Sequence, residues 1–240
     1  MAAKGRSPHA TVIGKARALP LTSDAKRFPV IETDADIATG AEFLVAHEPG
    51  FSKVIEVHGL PSARRVENSL ASLLKIVTEQ LISLKAADAI WRRIETRLHP
   101  FEPHEILKFS VEDLQSLGLT RAKARSFQAI AMAIHSGELN FESLHEVPDQ
   151  EVLAKLLALP GIGPWTADIY LLTALGRTDA CPAGDLALQM AAQDLFAMDG
   201  RPTPKAFLER AENWKPWRSV AARLLWSHYR GIKGLSQRVN

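Results

Sequence analysis

LPGIGPWTADIYLLTALGRTDACPAGDLAL, residues 159–188, carries two glycines two positions apart ahead of a helix-like run, and a lone acid, Asp185, further on. The pair invites reading as a G-x-G-x-x-G dinucleotide fingerprint. That fails twice: the third position is Thr166, and the preceding EVLAKLLAL (151–159) has helical rather than strand periodicity. What remains is a helix, the turn Leu-Pro-Gly-Ile-Gly, and Pro164 at the favoured first position of a second helix. Glycine tolerates positive φ and lets a backbone or a phosphate come close. The N–H groups of such a hairpin and of the first turn after it point outward, where the helix dipole favours an anion. A phosphate-gripping hairpin follows, although a plain tight corner between two helices needs the same glycines.

Working outward, helical periodicity dominates. Thr33 with Asp36 reads as a helix start, and Ile37, Ala41, Leu44 and Val45 share a face before Pro49-Gly50 ends it. Leu70, Leu73, Leu74, Val77 and Leu81 follow the i, i+3, i+4, i+7 rule, and a further helix spans about 84–98 before Pro100 and Pro103. Ser110 with Asp113 forms a capping box for a short helix closed by Gly118, and Thr120 caps another closed by Gly137. Pro148 opens the helix leading into the hairpin, and Thr203-Pro204 and Pro216 open the last two. SKVIEVH (52–58) is the one short strand candidate. No repeat or low-complexity linker is evident, so the expected fold is all-α, about ten helices joined by short turns.

Composition bounds the function. No apolar run approaches the roughly 18 residues that a bilayer requires, so a membrane role is not expected. One cysteine, Cys181, excludes a disulfide framework within the chain and any thiolate-built cluster, and eight histidines lie scattered with no HxxxH pair, so no metal site is expected. A formal charge of +2 is too small to argue nucleic acid by itself, but its distribution is uneven. Residues 200–240 hold nine Lys/Arg against Glu209 and Glu212, and RAKAR (121–125) packs three positive charges into five residues. These either line a polyanion-facing surface or form ordinary solvated helix faces. The first 23 residues have four basic residues and no acid, without the apolar centre of a secretory signal, and read as a basic arm.

Several segments together resemble the helix-hairpin-helix superfamily of DNA glycosylases, in particular the branch of the 3-methyladenine DNA glycosylase II enzymes. They are LLKIVTEQLISLKAADAIW (73–91), LGLTRAKARSFQAIA (117–131), LLALPGIGPWTADIYLLTALGR (156–177), PAGDLAL (182–188) and ENWKPWRSVAARLLW (212–226). These matches are collinear over roughly two thirds of the chain. The hairpin alone would mark only DNA binding; Asp185, 20 residues after Trp165, marks a glycosylase. The short all-α members are the better pattern, because little strand signal precedes residue 68. They imply two lobes with a DNA cleft between them: residues 1–68 and 179–240 in one lobe, 69–178 as a helical barrel with the hairpin at 159–166.

The resemblance also assigns roles. Leu159, Gly161, Ile162, Gly163 and Thr166 would grip DNA through the hairpin, and Leu81, in EQLIS, would fill the gap left by a flipped nucleotide, where its alternative is core packing. Asp185 would be the catalytic carboxylate, stabilising the oxocarbenium-like sugar or orienting water; without the motif, an acid there reads as a helix cap. Trp165 and Trp214 would contact the base, Trp217 would be core, and Asp168 structural. Family members that also cut the strand carry a lysine where this chain has Trp165, which implies a monofunctional enzyme. Ile169 and Leu186 stand where the best-known pockets have tyrosines, so the pocket is expected to be less aromatic. The implied substrate is double-stranded DNA with alkylated purines, 3-methyladenine foremost. Hypoxanthine or etheno adducts are alternatives, as is a silent hairpin protein that only binds damaged DNA. The enzyme would act as a cytoplasmic monomer with access to the chromosome. No cofactor is implied beyond the option of a monovalent cation at the hairpin carbonyls.

Overall fold

The computed structural model describes residues 29–234; the basic arm before Asp24 lies outside the described residues. Among these there are thirteen α-helices and one 3-10 turn, and the only β pairing is an isolated bridge between Val30 and Arg177. In chain order the helices are α1 (Asp34–His47), α2 (Gly50–His58), α3 (Leu70–Glu79), α4 (Leu84–Leu98), α5 (Pro103–Ile106), α6 (Val111–Ser116) and α7 (Arg121–His135). Then follow α8 (Phe141–Leu144), α9 (Asp149–Leu157), α10 (Pro164–Thr173), α11 (Leu186–Leu195), α12 (Pro204–Ala211), the 3-10 turn Glu212–Trp214, and α13 (Arg218–Ile232). The all-α expectation holds; the extra elements beyond ten include one-turn helices, α5 and α8, too short to show a period.

Most boundaries follow from local capping. Thr33 with Asp36 and Ser110 with Asp113 form reciprocal capping boxes, and Ser69, Ser83 and Thr120 accept the N–H three residues on. The strand expected at 52–58 is instead helix α2. Its β-branched residues favour a strand locally, but Phe51 and Val54, three apart, are fully buried while Val57 points to solvent. That is a helical face. Phe51 meets the rings of Phe196 and Trp214, and α2 packs along α13, so tertiary burial overrides propensity.

In the middle of the chain α9 packs on α10, α10 and α7 on α3, α3 on α4, and α5 and α6 on α7. The two chain ends meet around α13, which contacts α1, α2 and α11.

Much of the C-terminal positive charge is internal. Arg210 pairs with Glu48 at 2.7 Å, and Arg218 holds both oxygens of Asp179 at 2.8 Å. Arg223 reaches the carbonyls of Ser62, Arg64 and Leu172, while Arg65 reaches that of Ala174. Burial brings Arg223 down to about 10. The Arg65 and Arg223 guanidinium groups sit at the C-terminal end of α10, where orphan carbonyls and the helix dipole favour cations. The helix that begins at the hairpin is thereby anchored at its far end.

Candidate active site

Helix α9 ends at Leu157, and the chain turns through Leu159–Gly163 into α10. Ile162 N–H closes the turn on the Leu159 carbonyl at 3.1 Å. Gly161 has φ +81°, and a Cβ there would overlap the Ser126 hydroxyl of α7. Gly163 caps α10 with φ −101° and has open space around its α-carbon. Pro164 has no N–H, so Trp165 and Thr166 supply the first free amides of the helix. Leu159, Ile162 and Thr166 are buried, at 6%, 6% and 1% exposure. Their side chains anchor the hairpin from beneath, and only its backbone can face a ligand.

Asp185 is the N-cap of α11, accepting the Leu188 N–H at Oδ1, 3.0 Å. Its other oxygen accepts the indole N–H of Trp165 at 2.9 Å, and the Trp226 indole approaches Oδ1 at 3.4 Å. Asp185 is thus a helix cap, and the same set of bonds fixes its carboxylate beside two tryptophans. The loop before it is tied down by buried Gln189, whose amide donates to the Ala183 carbonyl at 2.7 Å. An indole that donates from its edge keeps its π faces for stacking. Leu186, next in the chain, is exposed, whereas Ile169 is buried.

Leu81 does not continue the α3 stripe. The helix stops at Glu79, Gln80 leaves helical geometry, and Leu81 adopts φ +57° with its side chain wholly in solvent, at 103% exposure. A non-glycine residue at positive φ is uncommon, and a leucine held out by it is not core. Ile82 and Leu84 beside it are also exposed.

The description of the family whose sequence pattern covers residues 74–217 is "HhH-GPD superfamily base excision DNA repair protein". The chain belongs to this superfamily. Within it, the chain is 30% identical to DNA-3-methyladenine glycosylase 1 of Schizosaccharomyces pombe over 158 residues, 64% of this chain and 69% of that one. It is 28% identical to a putative DNA-3-methyladenine glycosylase of Bacillus subtilis, covering 64% of this chain but 56% of the relative's length. A solved 3-methyladenine DNA glycosylase from Schizosaccharomyces pombe, in complex with abasic DNA, superposes with a TM-score of 0.72 at 25% identity. That match covers 81% of this chain and 96% of the other.

Against this superfamily background one expected base contact is corrected. Trp214 is 1% exposed, with its ring 5.5 Å from those of Phe51 and Phe207 and 5.9 Å from Phe196. It belongs to the core, because the 3-10 turn points it inward. Trp217 is buried, as expected. The second aromatic at the carboxylate, beside the expected Trp165, is Trp226, which the sequence did not single out. Its signal was positional: in α13 Val220, Ala221, Leu224 and Leu225 are buried, and the half-buried Trp226 lies off that stripe.

A cavity of about 780 Å³ opens beside Trp165, lined by Asp168, Leu171, Cys181, Gly184 and Arg218 among others. Burial pushes the Asp168 carboxyl up to about 7, against the opposing pull of Arg218 and the Cys181 N–H. The folded chain thus keeps a proton that the unfolded chain releases from near 3.8 upward. This contribution to stability is complete at low pH and lost as pH rises through about 7. Asp168→Asn should therefore be more stabilising at pH 8 than at pH 5, the linkage between those two pH values being at most about 2–3 kcal/mol, read as a larger rise in melting temperature at pH 8. Equal shifts at both pH values would remove this assignment.

Among the described residues no three His, Cys, Asp or Glu side chains gather to hold a metal, and no helix is long and apolar enough to cross a membrane.

Proposed function

We propose that this chain is a monofunctional DNA glycosylase that flips an alkylated purine, 3-methyladenine foremost, out of double-stranded DNA and hydrolyses its N-glycosidic bond. The observation that carries the reading is the 2.9 Å bond from the Trp165 indole to the Asp185 carboxylate, which joins the hairpin's first helical turn to the acid. A strand gripped by the hairpin amides would present its sugar to that carboxylate. A cationic methylpurine is already a good leaving group, so the reaction needs negative charge near C1′ more than a general acid. Water adds to C1′ as the bond to the base breaks, leaving an abasic site. Trp165 has no amine, so no Schiff base forms there and the strand stays intact. The names of the relatives and the abasic DNA bound by the S. pombe enzyme support this substrate class. A hairpin cation would have to share carbonyls already in use, since those of Leu159 and Gly161 accept from Ile162 N–H and Gln80 Nε2. The steps above do not pass through it.

The test is to incubate the protein, acting as a monomer, with methylated duplex DNA and to assay free bases by chromatography. Release of 3-methyladenine without strand scission, and without borohydride-trapped adduct, is expected. A trapped adduct would refute the monofunctional assignment; a duplex carrying hypoxanthine or an etheno base as the only substrate cleaved would redirect the specificity.

Leu81 is proposed as the wedge that replaces the flipped nucleotide. Leu81→Ala should weaken binding to a duplex with an abasic analogue by about tenfold or more, the burial of one leucine side chain being worth about 1.5–3 kcal/mol. The melting temperature should not fall, because the side chain touches no core. Unchanged affinity would exclude the wedge role.

A further inference from the structure

Three groups tie the Leu81 loop to the hairpin. Gln80, the residue before Leu81, donates its side-chain amide to the Gly161 carbonyl at 3.0 Å and to the Thr166 hydroxyl at 2.8 Å. Lys123 of α7 donates to the carbonyls of Thr78 and Gln80 at 2.9 and 2.7 Å, serving carbonyls at the C-terminal end of α3. One turn along the same helix, Ser126 lies directly beneath Gly161 and leaves no room for a Cβ there. Helix α7 is thus a common strut under both loops, and Gln80 is the cross-link between them, spanning 81 residues of sequence.

We infer that Gln80 is a positioning residue that locks the exposed Leu81 to the phosphate-gripping hairpin, so that the wedge enters the duplex at a fixed distance from the gripped strand. The inference rests on the proposed glycosylase reading and extends it. Leu81 stands in solvent at positive φ with no packing of its own. Its placement must therefore come from its neighbours, and Gln80 is the neighbour whose side chain reaches the grip. Where two groups act on a ligand as one rigid unit, a small displacement of either is felt in full.

The discriminating quantity is the ratio of affinities for a duplex with a tetrahydrofuran abasic analogue and for the same duplex intact. Phosphate contacts act on both DNAs, whereas the wedge acts only where the stack is open. Gln80→Ala should lower this ratio by about tenfold, with little change in intact-duplex affinity. Thr166→Val keeps the backbone amide and removes, from the buried side, only the second of the two Gln80 bonds, leaving that to the Gly161 carbonyl, and should lower the ratio in the same direction by less than Gln80→Ala. In a Leu81→Ala background neither change should lower the ratio further. A ratio unaffected by Gln80→Ala overturns the inference. So does an additive effect with Leu81→Ala, which would make Gln80 a DNA contact in its own right, or an equal loss on both duplexes, which would make it a support for the hairpin alone. A wild-type protein with no preference for the abasic duplex overturns the glycosylase reading and this inference together.

Discussion

Asp185→Asn is expected to slow single-turnover release of the methylated base by about 10²–10³-fold, the usual loss when one preorganised electrostatic group is removed from a reacting centre. Folding should survive. Asparagine is as good an N-cap as aspartate, so its oxygen can keep the Leu188 N–H bond, 3.0 Å in the native site. The second oxygen, which accepts from Trp165 at 2.9 Å, becomes an amide nitrogen that can only donate. One indole N–H is then left without its acceptor, at a cost of about 1–3 kcal/mol if no water replaces it. The variant should therefore bind an abasic-analogue duplex nearly as well as the native chain and lose the chemical step. Rapid-quench kinetics on methylated duplex, beside a melting curve, separates the two. Undiminished release would show that the acid is a helix cap and nothing more, and the proposed reaction would lose its catalytic group.

What could be read from the sequence was mostly what is local. Thr33 with Asp36 and Ser110 with Asp113 announce helix starts because the bonds they make lie within four residues. The hairpin was legible for the same reason, whereas the roles of Asp185 and Trp165 came only from the resemblance to a family. That Trp165 and Asp185 touch is a tertiary fact; the resemblance to a family implied separate roles for them in one site, and no contact. Non-local packing defeated the reading elsewhere. SKVIEVH has strand-like composition, yet Phe51 just before it is drawn against Phe196 and Trp214, and the segment coils to keep Val54 on the same side. Leu81 stands four residues after Val77 and would sit on the α3 stripe if the helix went on. It ends at Glu79 without a glycine or proline to mark the stop, and the leucine turns outward. Trp214 and Trp226 are equally aromatic in sequence; a three-residue 3-10 turn sends the first into the core. The C-terminal cluster of positive charge fits neither alternative in full, because Arg210, Arg218 and Arg223 serve carboxylates and carbonyls of the fold.

The two glycines of the opening stretch should separate under substitution, although their spacing makes them look alike. Gly161→Ala places a Cβ against the Ser126 hydroxyl and asks alanine to adopt φ +81°. The left-handed backbone alone costs roughly 1–2 kcal/mol, and the overlap with a side chain at 4% exposure adds to it. A fall in melting temperature of several degrees is expected, with DNA affinity lost because the hairpin shifts. Gly163→Ala meets no such obstacle: φ is −101° and the space around the α-carbon is open. Its stability should match that of the native chain. The methyl group would instead stand where a phosphate must approach the amides at the start of α10, so affinity for intact and abasic duplexes should drop together, by about tenfold or more. Paired melting and binding measurements on the two variants decide the point. If Gly163→Ala binds DNA as tightly as the native chain, the open face of the hairpin does not carry the strand, and the turn is a corner between helices.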